Sequence, residues 1–342
     1  MKTCRVIILF VITFGLSLKC LKAQQSDTVK SFIPKGKIEG NIFANFYYGQ
    51  KDGSAKTAFQ ITRAHLGYNY QFSESLSSRV LFDISSPKIT VEDTLSGKSS
   101  LNHTAHLKFA SLTYKIDQIN ISGGMIQLTQ FKLQDKIWGR RYIMKTAQDE
   151  YGYSNVADIG ARVEYTVSNK IALDFTVRNG EGFKSIQTDD KYWYGLNIYL
   201  EPVKRIHYKI LIDYFKDSLN QYNLSNFVGF DGSKFKFGIE YIIGSNFKQI
   251  KNQKLYCLSV YSSYTIVPKF EIFARFDRLT SNRINGNSNN WNYKNDLVLF
   301  LGGVQFTPTK NITTAINLQH RKFMNELNGN EVYGFINVSF NF

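Results

Sequence analysis

The chain has 342 residues, with 42 Lys and Arg against 27 Asp and Glu, a formal net charge of +15. Aromatic residues make up 15% of it, 21 Tyr and 27 Phe beside only five Pro. Three cysteines exclude a dense disulfide framework, and no apolar run beyond the amino terminus is long enough for a spanning helix. Basic charge with many aromatics also suits nucleic-acid binding, a reading that the amino terminus opposes.

Met1, Lys2 and Arg5 precede an apolar run from Val6 to Leu18, followed by LKCLKAQQ. A basic start, a short apolar core and a small residue at the exit predict a cleaved export signal over 1–23. Lipidation at Cys20 is disfavoured because Lys19 stands where a small residue is needed. Removing 1–23 takes four of the 42 basic residues and none of the 27 acids, leaving +11. It also leaves Cys257 as the one thiol, so no internal disulfide can form.

A polar leader over 24–36 comes next, and alternation then persists to the carboxy terminus. Period-two patterning predicts strands over 37–48, 58–72, 77–85, 105–116, 119–128, 156–167, 171–179 and 192–200. It continues over 206–215, 222–230, 234–243, 254–265, 269–279, 296–307, 311–321 and 331–342. Over 171–178, for example, Ile171, Leu173, Phe175 and Val177 alternate with Ala172, Asp174, Thr176 and Arg178. The last segment, EVYGFINVSFNF, sets Val332, Gly334, Ile336, Val338, Phe340 and Phe342 on one face. Tyr333, Phe335, Asn337, Ser339 and Asn341 take the other face.

The connections alternate in length. Those expected after odd-numbered strands are mostly long and polar: 49–57, 86–104, 129–155, 179–191, 216–221, 244–253, 280–295 and 322–330. Those after even-numbered strands span a few residues. Long loops at one end and tight turns at the other mark an outer-membrane β-barrel. A closed barrel also removes the free edge that an apolar terminal strand would otherwise leave. A sandwich seldom needs sixteen strands, and a propeller or β-helix requires a fixed-period repeat that is missing. The fold class is therefore all-β, an antiparallel up-and-down transmembrane barrel of about 16 strands over 37–342.

If the apolar parity meets lipid, the opposite parity lines the lumen. That set holds Arg63, Arg79, Arg162, Arg178, Arg275 and Arg321 among acids such as Asp83, Glu164, Asp174 and Asp277. Mixed charge gives a transverse field that orients polar solutes, and a basic excess favours anions. The bland reading is a set of mutually paired, solvated side chains without solute preference. The longest connection, 129–155, carries Lys132, Lys136, Arg140, Arg141 and Lys145. WGRRY (138–142) there could put two guanidinium groups at a constriction, or the loop could be an exposed basic contact for surface glycolipid phosphate.

Catalysis finds little support. The five histidines are dispersed, and His103 with His106 lacks partner ligands, so no metal site or cofactor is expected. His106 and Ser111 would stand roughly 16 Å apart on an extended strand. No GxSxG, phosphate-binding loop or dinucleotide fingerprint occurs. Gly123-Gly124 and Gly302-Gly303 fall inside strands, where bends or bulges are expected.

The segments ITRAHLGYNYQFSESLSSRVLFD (61–83), ADIGARVEY (157–165), RNGEGF (178–183), SNFVGFDGSKFKFGIEYI (225–242) and FEIFARFD (270–277), with the terminal strand, resemble porins of the phosphate-selective O/P type from Bacteroidetes-like bacteria. The resemblance spans nearly the whole mature chain as a rhythm of strands. It implies a sixteen-stranded homotrimeric pore for small hydrophilic solutes, with anions such as phosphate suggested by the family name. In sixteen-stranded porins the third outer loop commonly folds inward, which is what the resemblance implies for 129–155. Val338, Phe340 and Phe342 resemble the terminal signal read by the barrel-assembly machinery. Outer-membrane lipid and lipopolysaccharide are the expected surroundings, with no nucleic acid. The alternative is a non-conducting structural or adhesive barrel acting through its outer loops.

Overall fold

The computed structural model describes residues 32–51, 53–85, 104–284, 296–324 and 329–342. The expected export signal, His103 and most of the connections at 86–104 and 280–295 lie outside them. The chain divides into two units, Met1–Ile33 and Pro34–Phe342, and the barrel is the second.

Its strands are β1 (Lys35–Lys51), β2 (Ser54–Gln71), β3 (Leu76–Ser85), β4 (Thr104–Ile116) and β5 (Ile119–Gln127). Next come β6 (Ala157–Ser168), β7 (Ile171–Arg178), β8 (Trp193–Val203), β9 (Ile206–Lys216) and β10 (Asn220–Asp231). The last six are β11 (Phe235–Ser245), β12 (Lys254–Val267), β13 (Phe270–Ser281), β14 (Leu297–Thr309), β15 (Ile312–Phe323) and β16 (Glu331–Asn341). Each pairs antiparallel with its sequence neighbours, and β1 pairs with β16, so the sheet closes into a sixteen-stranded barrel. Closure gives every strand two partners, as spanning hydrocarbon demands.

The alternation decides which face meets lipid. Ile38, Leu66, Tyr68, Phe175, Ile272, Phe300, Ile336 and Phe340 all stand exposed on the outside. Asp83, Asp174, Asp213, Glu240, Arg275 and Asp277 are buried on the inside. An ionised side chain on the outer face would cost roughly 2–4 kcal/mol at mid-membrane. The parity is thus held by solvation at both surfaces.

Two expected outer loops are far shorter than anticipated. The stretch 49–57 is mostly strand, because β1 and β2 stay paired out to Lys51 and Ser54. β9 and β10 run on to Lys216 and Asn220, reducing 216–221 to a tight turn. Polar residues at these positions mark strands that leave the hydrocarbon while still paired.

Two bulges re-aim single side chains. Between β1 and β2 the register passes from Phe43–Arg63 to Ala44–Ile61, leaving Thr62 unpaired. Its Oγ1 donates to the Phe43 carbonyl at 3.3 Å. Ile61 therefore faces out and Arg63 faces in, although strict alternation would put them on one face. Between β3 and β4 the pairs Leu81–Phe109 and Phe82–Leu107 leave out Lys108, which turns inward. At the two glycine pairs no register shift occurs. Gly124 instead takes φ +105°, and a Cβ there would meet the Ala110 carbonyl oxygen at 2.4 Å.

Candidate functional site

The connection between β5 and β6 enters the barrel. It contains α1 (Lys132–Trp138), closed by Gly139 at φ +64°, and α2 (Ala147–Glu150). At its root, Thr129 Oγ1 donates to Asp174 Oδ2 at 2.9 Å, and Lys209 Nζ donates to the Thr129 carbonyl at 3.1 Å. Gln134 Nε2 donates to Glu240 Oε1 at 2.6 Å on β11. Tyr142 OH donates to Gln305 Oε1 at 3.0 Å on β14, and Tyr151 OH to Asp277 Oδ2 at 2.6 Å on β13. Lys136 pairs with Asp231 at 3.1 Å beside the β10–β11 turn, while Glu150 meets Arg321 at 3.2 Å toward the opposite end of the wall. The loop thus runs deep along the lumen.

Apolar residues hold it there. Ile137, Trp138, Tyr142, Met144, Ala147 and Tyr153 pack on Phe227, Cys257, Tyr261, Phe273, Leu299 and Leu301. Trp138 stands 5.3 Å from the Tyr261 ring and donates from Nε1 to the Met144 carbonyl at 2.8 Å. Alternation marks these wall positions as lumen-facing and predicts water there. Instead they form a core between loop and wall over β10 to β15.

The wall from β1 to β7 is mainly polar, apart from a small apolar cluster of Leu81, Phe109 and Ala157 and from Phe43, which packs on the loop core. Asp83 Oδ2 accepts from Lys108 Nζ at 3.0 Å, lies 3.3 Å from His65 Nε2 and 3.9 Å from Arg63 Nε. Lys108 Nζ is also 5.5 Å from the Phe183 ring centre, which places RNGEGF against this cluster. One carboxylate between two cations leaves a positive excess. On the loop, Arg141 Nη1 donates to Asp135 Oδ2 at 2.8 Å, and Arg141 also pairs with Asp149. Lys145 Nζ reaches Asp149 Oδ1 at 3.3 Å.

Burial pushes the Asp149 carboxyl up, but Arg141, Lys145 and Arg63 outweigh it and hold the group below the ordinary aspartate value. Burial dominates at Asp135 and raises it, despite Arg141 and a hydrogen bond from Thr146. The charge of Arg63 is felt by both loop carboxylates, so wall and loop face each other here.

Two of the six arginines picked out by alternation are sequestered, and the other four are partly exposed. Arg178 makes two bonds to Asp213 at 2.9 and 2.5 Å, and Arg275 sits 2.7 Å from Asp277; both are 3% exposed. Arg140 is buried as well, with Nη2 2.6 Å from Glu271 Oε2. Arg321 is shared between Glu150 and Glu331. Arg79 and Arg162 line a separate cavity of about 580 Å³ with Lys35, Lys37 and a set of Ser and Thr hydroxyls. Arg79 donates to Glu39 at 2.6 Å, and Arg162 to Glu164 at 3.2 Å. Among the described residues no cluster of His, Cys, Asp and Glu could hold a metal ion. The bulges that gather Lys108 and Arg63 around Asp83 leave no periodic signal in the sequence.

No protein-family model matches the chain, and no curated protein does. Solved structures do. Salmonella typhi OmpF, in complex with daunomycin, superposes with TM-score 0.65 at 11% identity, over 90% of this chain and 97% of that one. An anion-selective porin from Comamonas acidovorans gives 0.62 at 10% identity, over 91% and 100%. In-vitro folded OmpT of Vibrio cholerae in its trimer form gives 0.58 at 11%, over 90% and 99%. This is the fold of the outer-membrane porins. Identity so low speaks to the porin fold alone. Within that fold, the inward loop and the polar β1–β7 wall are the places where a solute path could run.

Proposed function

We propose that the chain is an outer-membrane porin that passes small hydrophilic solutes by diffusion, with a preference for anions such as phosphate. The observation that carries this reading is the division of the lumen. The third loop packs on the β10–β15 wall through an apolar core, leaving a polar, net basic wall opposite it. Arg63 and Lys108 against one carboxylate, with the basic cavity of Lys35, Lys37, Arg79 and Arg162, would raise local anion concentration. Arginine suits phosphate through paired donors. The anion-selective porin from Comamonas acidovorans supports the same direction by analogy of fold.

On this reading the export signal at 1–23 is removed, the barrel sits among outer-membrane lipid and lipopolysaccharide, and it assembles as a homotrimer. The trimer form of the Vibrio cholerae protein supports that assembly. Val338, Phe340 and Phe342 then serve the barrel-assembly machinery as well as closing the sheet. The deciding experiment is planar-bilayer conductance with reversal potentials in a salt gradient. Open channels biased toward anions are expected. A silent barrel would favour the adhesive alternative, and equal permeability would remove the anion preference.

A further inference from the structure

The terminal strand places two aromatic residues, Tyr333 and Phe335, on the lumen-facing parity, where a purely aqueous lining would need neither. Tyr47 of β1 joins them. Ring centres are 5.6 Å apart for Tyr47 and Tyr333, 5.8 Å for Tyr47 and Phe335, and 6.0 Å for Tyr333 and Phe335. All three are only partly buried. The Tyr333 ring lies over β1 at Gly49, its register partner; a Cβ on Gly49 would meet Tyr333 Cδ1 at 2.3 Å. Gly49 thus lets the ring lie close against the wall. Ala58, opposite Tyr47 on β2, is also small.

Around these rings is a cavity of about 350 Å³, bounded further by Gln60, Lys56, Gln319, Arg321, Lys51 and Glu331. It lies where β1, β2, β15 and β16 approach the long-loop end. Its charges are largely matched: Glu331 takes Lys51 at 2.8 Å and Arg321 at 3.7 Å, and Arg321 also reaches Glu150. The exposed polar groups are then chiefly the Gln60 amide and the Lys56 ammonium. One step inward on β1, Asn45 is nine-tenths buried, and its Oδ1 has no protein partner.

We propose that this is a subsite for a neutral sugar. A pyranose has an apolar C–H face for an aromatic platform and hydroxyls that both donate and accept. Amide side chains also do both, which suits them to hydroxyls better than to phosphate. A few placed polar groups around apolar contacts is the ordinary make-up of a small-molecule site. Among the described residues, only Lys56 of its cations is without a carboxylate partner, against both Lys35 and Lys37 in the Arg79–Arg162 cavity, so an anion gains less here. The proposal rests on reading the lumen as a solute path, and names a class of solute that enters it from the outer side.

The test uses the folded full-length barrel in detergent, with maltotriose and cellotriose as probes and calorimetric titration as readout. Binding in detergent does not require conduction, so failure of the porin reading would appear separately as a silent bilayer. At least one trisaccharide should bind the wild type, and Tyr333→Leu with Phe335→Leu should weaken it roughly tenfold. Tyr47→Leu should act in the same direction, and Tyr333→Phe should retain binding. If the double variant fails to give a heat-modifiable barrel, Gln60→Leu with Lys56→Leu tests the hydroxyl partners without touching the closing strand. No binding of either sugar, or unchanged affinity in the folded variants, overturns the proposal.

Discussion

Arg140 and Glu271 join the inward loop to β13: Nη2 lies 2.6 Å from Oε2, and the guanidinium stands 4.8 Å over the Phe273 ring. Arg140 is buried while Glu271 is partly exposed. The consequences of breaking the pair are therefore unequal. Glu271→Ala strands a buried cation and should cost roughly 3–5 kcal/mol of barrel stability. Arg140→Met keeps the packing and leaves a carboxylate that water can reach, so its cost should be smaller. Urea midpoints of the folded barrel, followed by heat-modifiability, check the order. Arg140 should barely alter ion selectivity, because it does not face the polar wall.

Selectivity should instead follow Arg63 and Lys108. Arg63→Gln or Lys108→Gln removes one of two cations held by one carboxylate and should move the reversal potential toward cations. Arg140→Met is the control. Equal shifts in all three variants would mean that total charge, rather than the wall cluster, sets the preference.

Acidification should raise anion preference in two separable steps. Asp135 has a raised pKa, so it takes up its proton above the ordinary value of 3.8. Asp149 has a lowered one and stays ionised until the pH is below 3.8. For stability the signs are opposite. The Asp149 contribution is present above 3.8 and is lost as pH falls through its depressed value. That of Asp135 is complete at low pH and lost as pH rises through its elevated value. Asp135→Asn should delete the upper step in reversal potential, and Asp149→Asn the lower one.

The second basic cavity predicts phosphate block. Arg79→Gln and Arg162→Gln should each raise the half-blocking phosphate concentration several-fold, up to about tenfold for loss of one charge-assisted bond. Unchanged block in both would move the anion path away from this cavity.

Closure at the carboxy terminus has its own test. Phe342 exchanges backbone hydrogen bonds with Gly40 at 2.9 and 3.0 Å. Its ring fills the space where a Gly40 side chain would sit, 2.2 Å from an ideal Cβ. Deleting Phe342, or Gly40→Leu, should lower the yield of heat-modifiable barrel in the outer membrane. Normal yield from the deletion would count against the assembly-signal role.

Strand number, order and the faces of most residues were legible in the sequence because solvation sets them one residue at a time. Lipid on one side and polar lumen on the other make a period of two visible in β7 or β13 without any partner strand. The segment 222–230 is one of the sixteen expected strands, and β10 occupies it.

What only the tertiary structure decided depends on residues far apart meeting. A single unpaired residue, Thr62 or Lys108, reverses local parity, and nothing in composition marks it. Phe227, Phe273 and Leu299 alternate as lumen residues but face the loop's Ile137 and Trp138 rather than water. Likewise Arg140 and Arg141 are adjacent in the chain and alike in chemistry. Folding buries one against Glu271 and leaves the other between Asp135 and Asp149, opposite Arg63. Periodicity reports which side of a sheet a residue takes, and only packing determines what waits on that side.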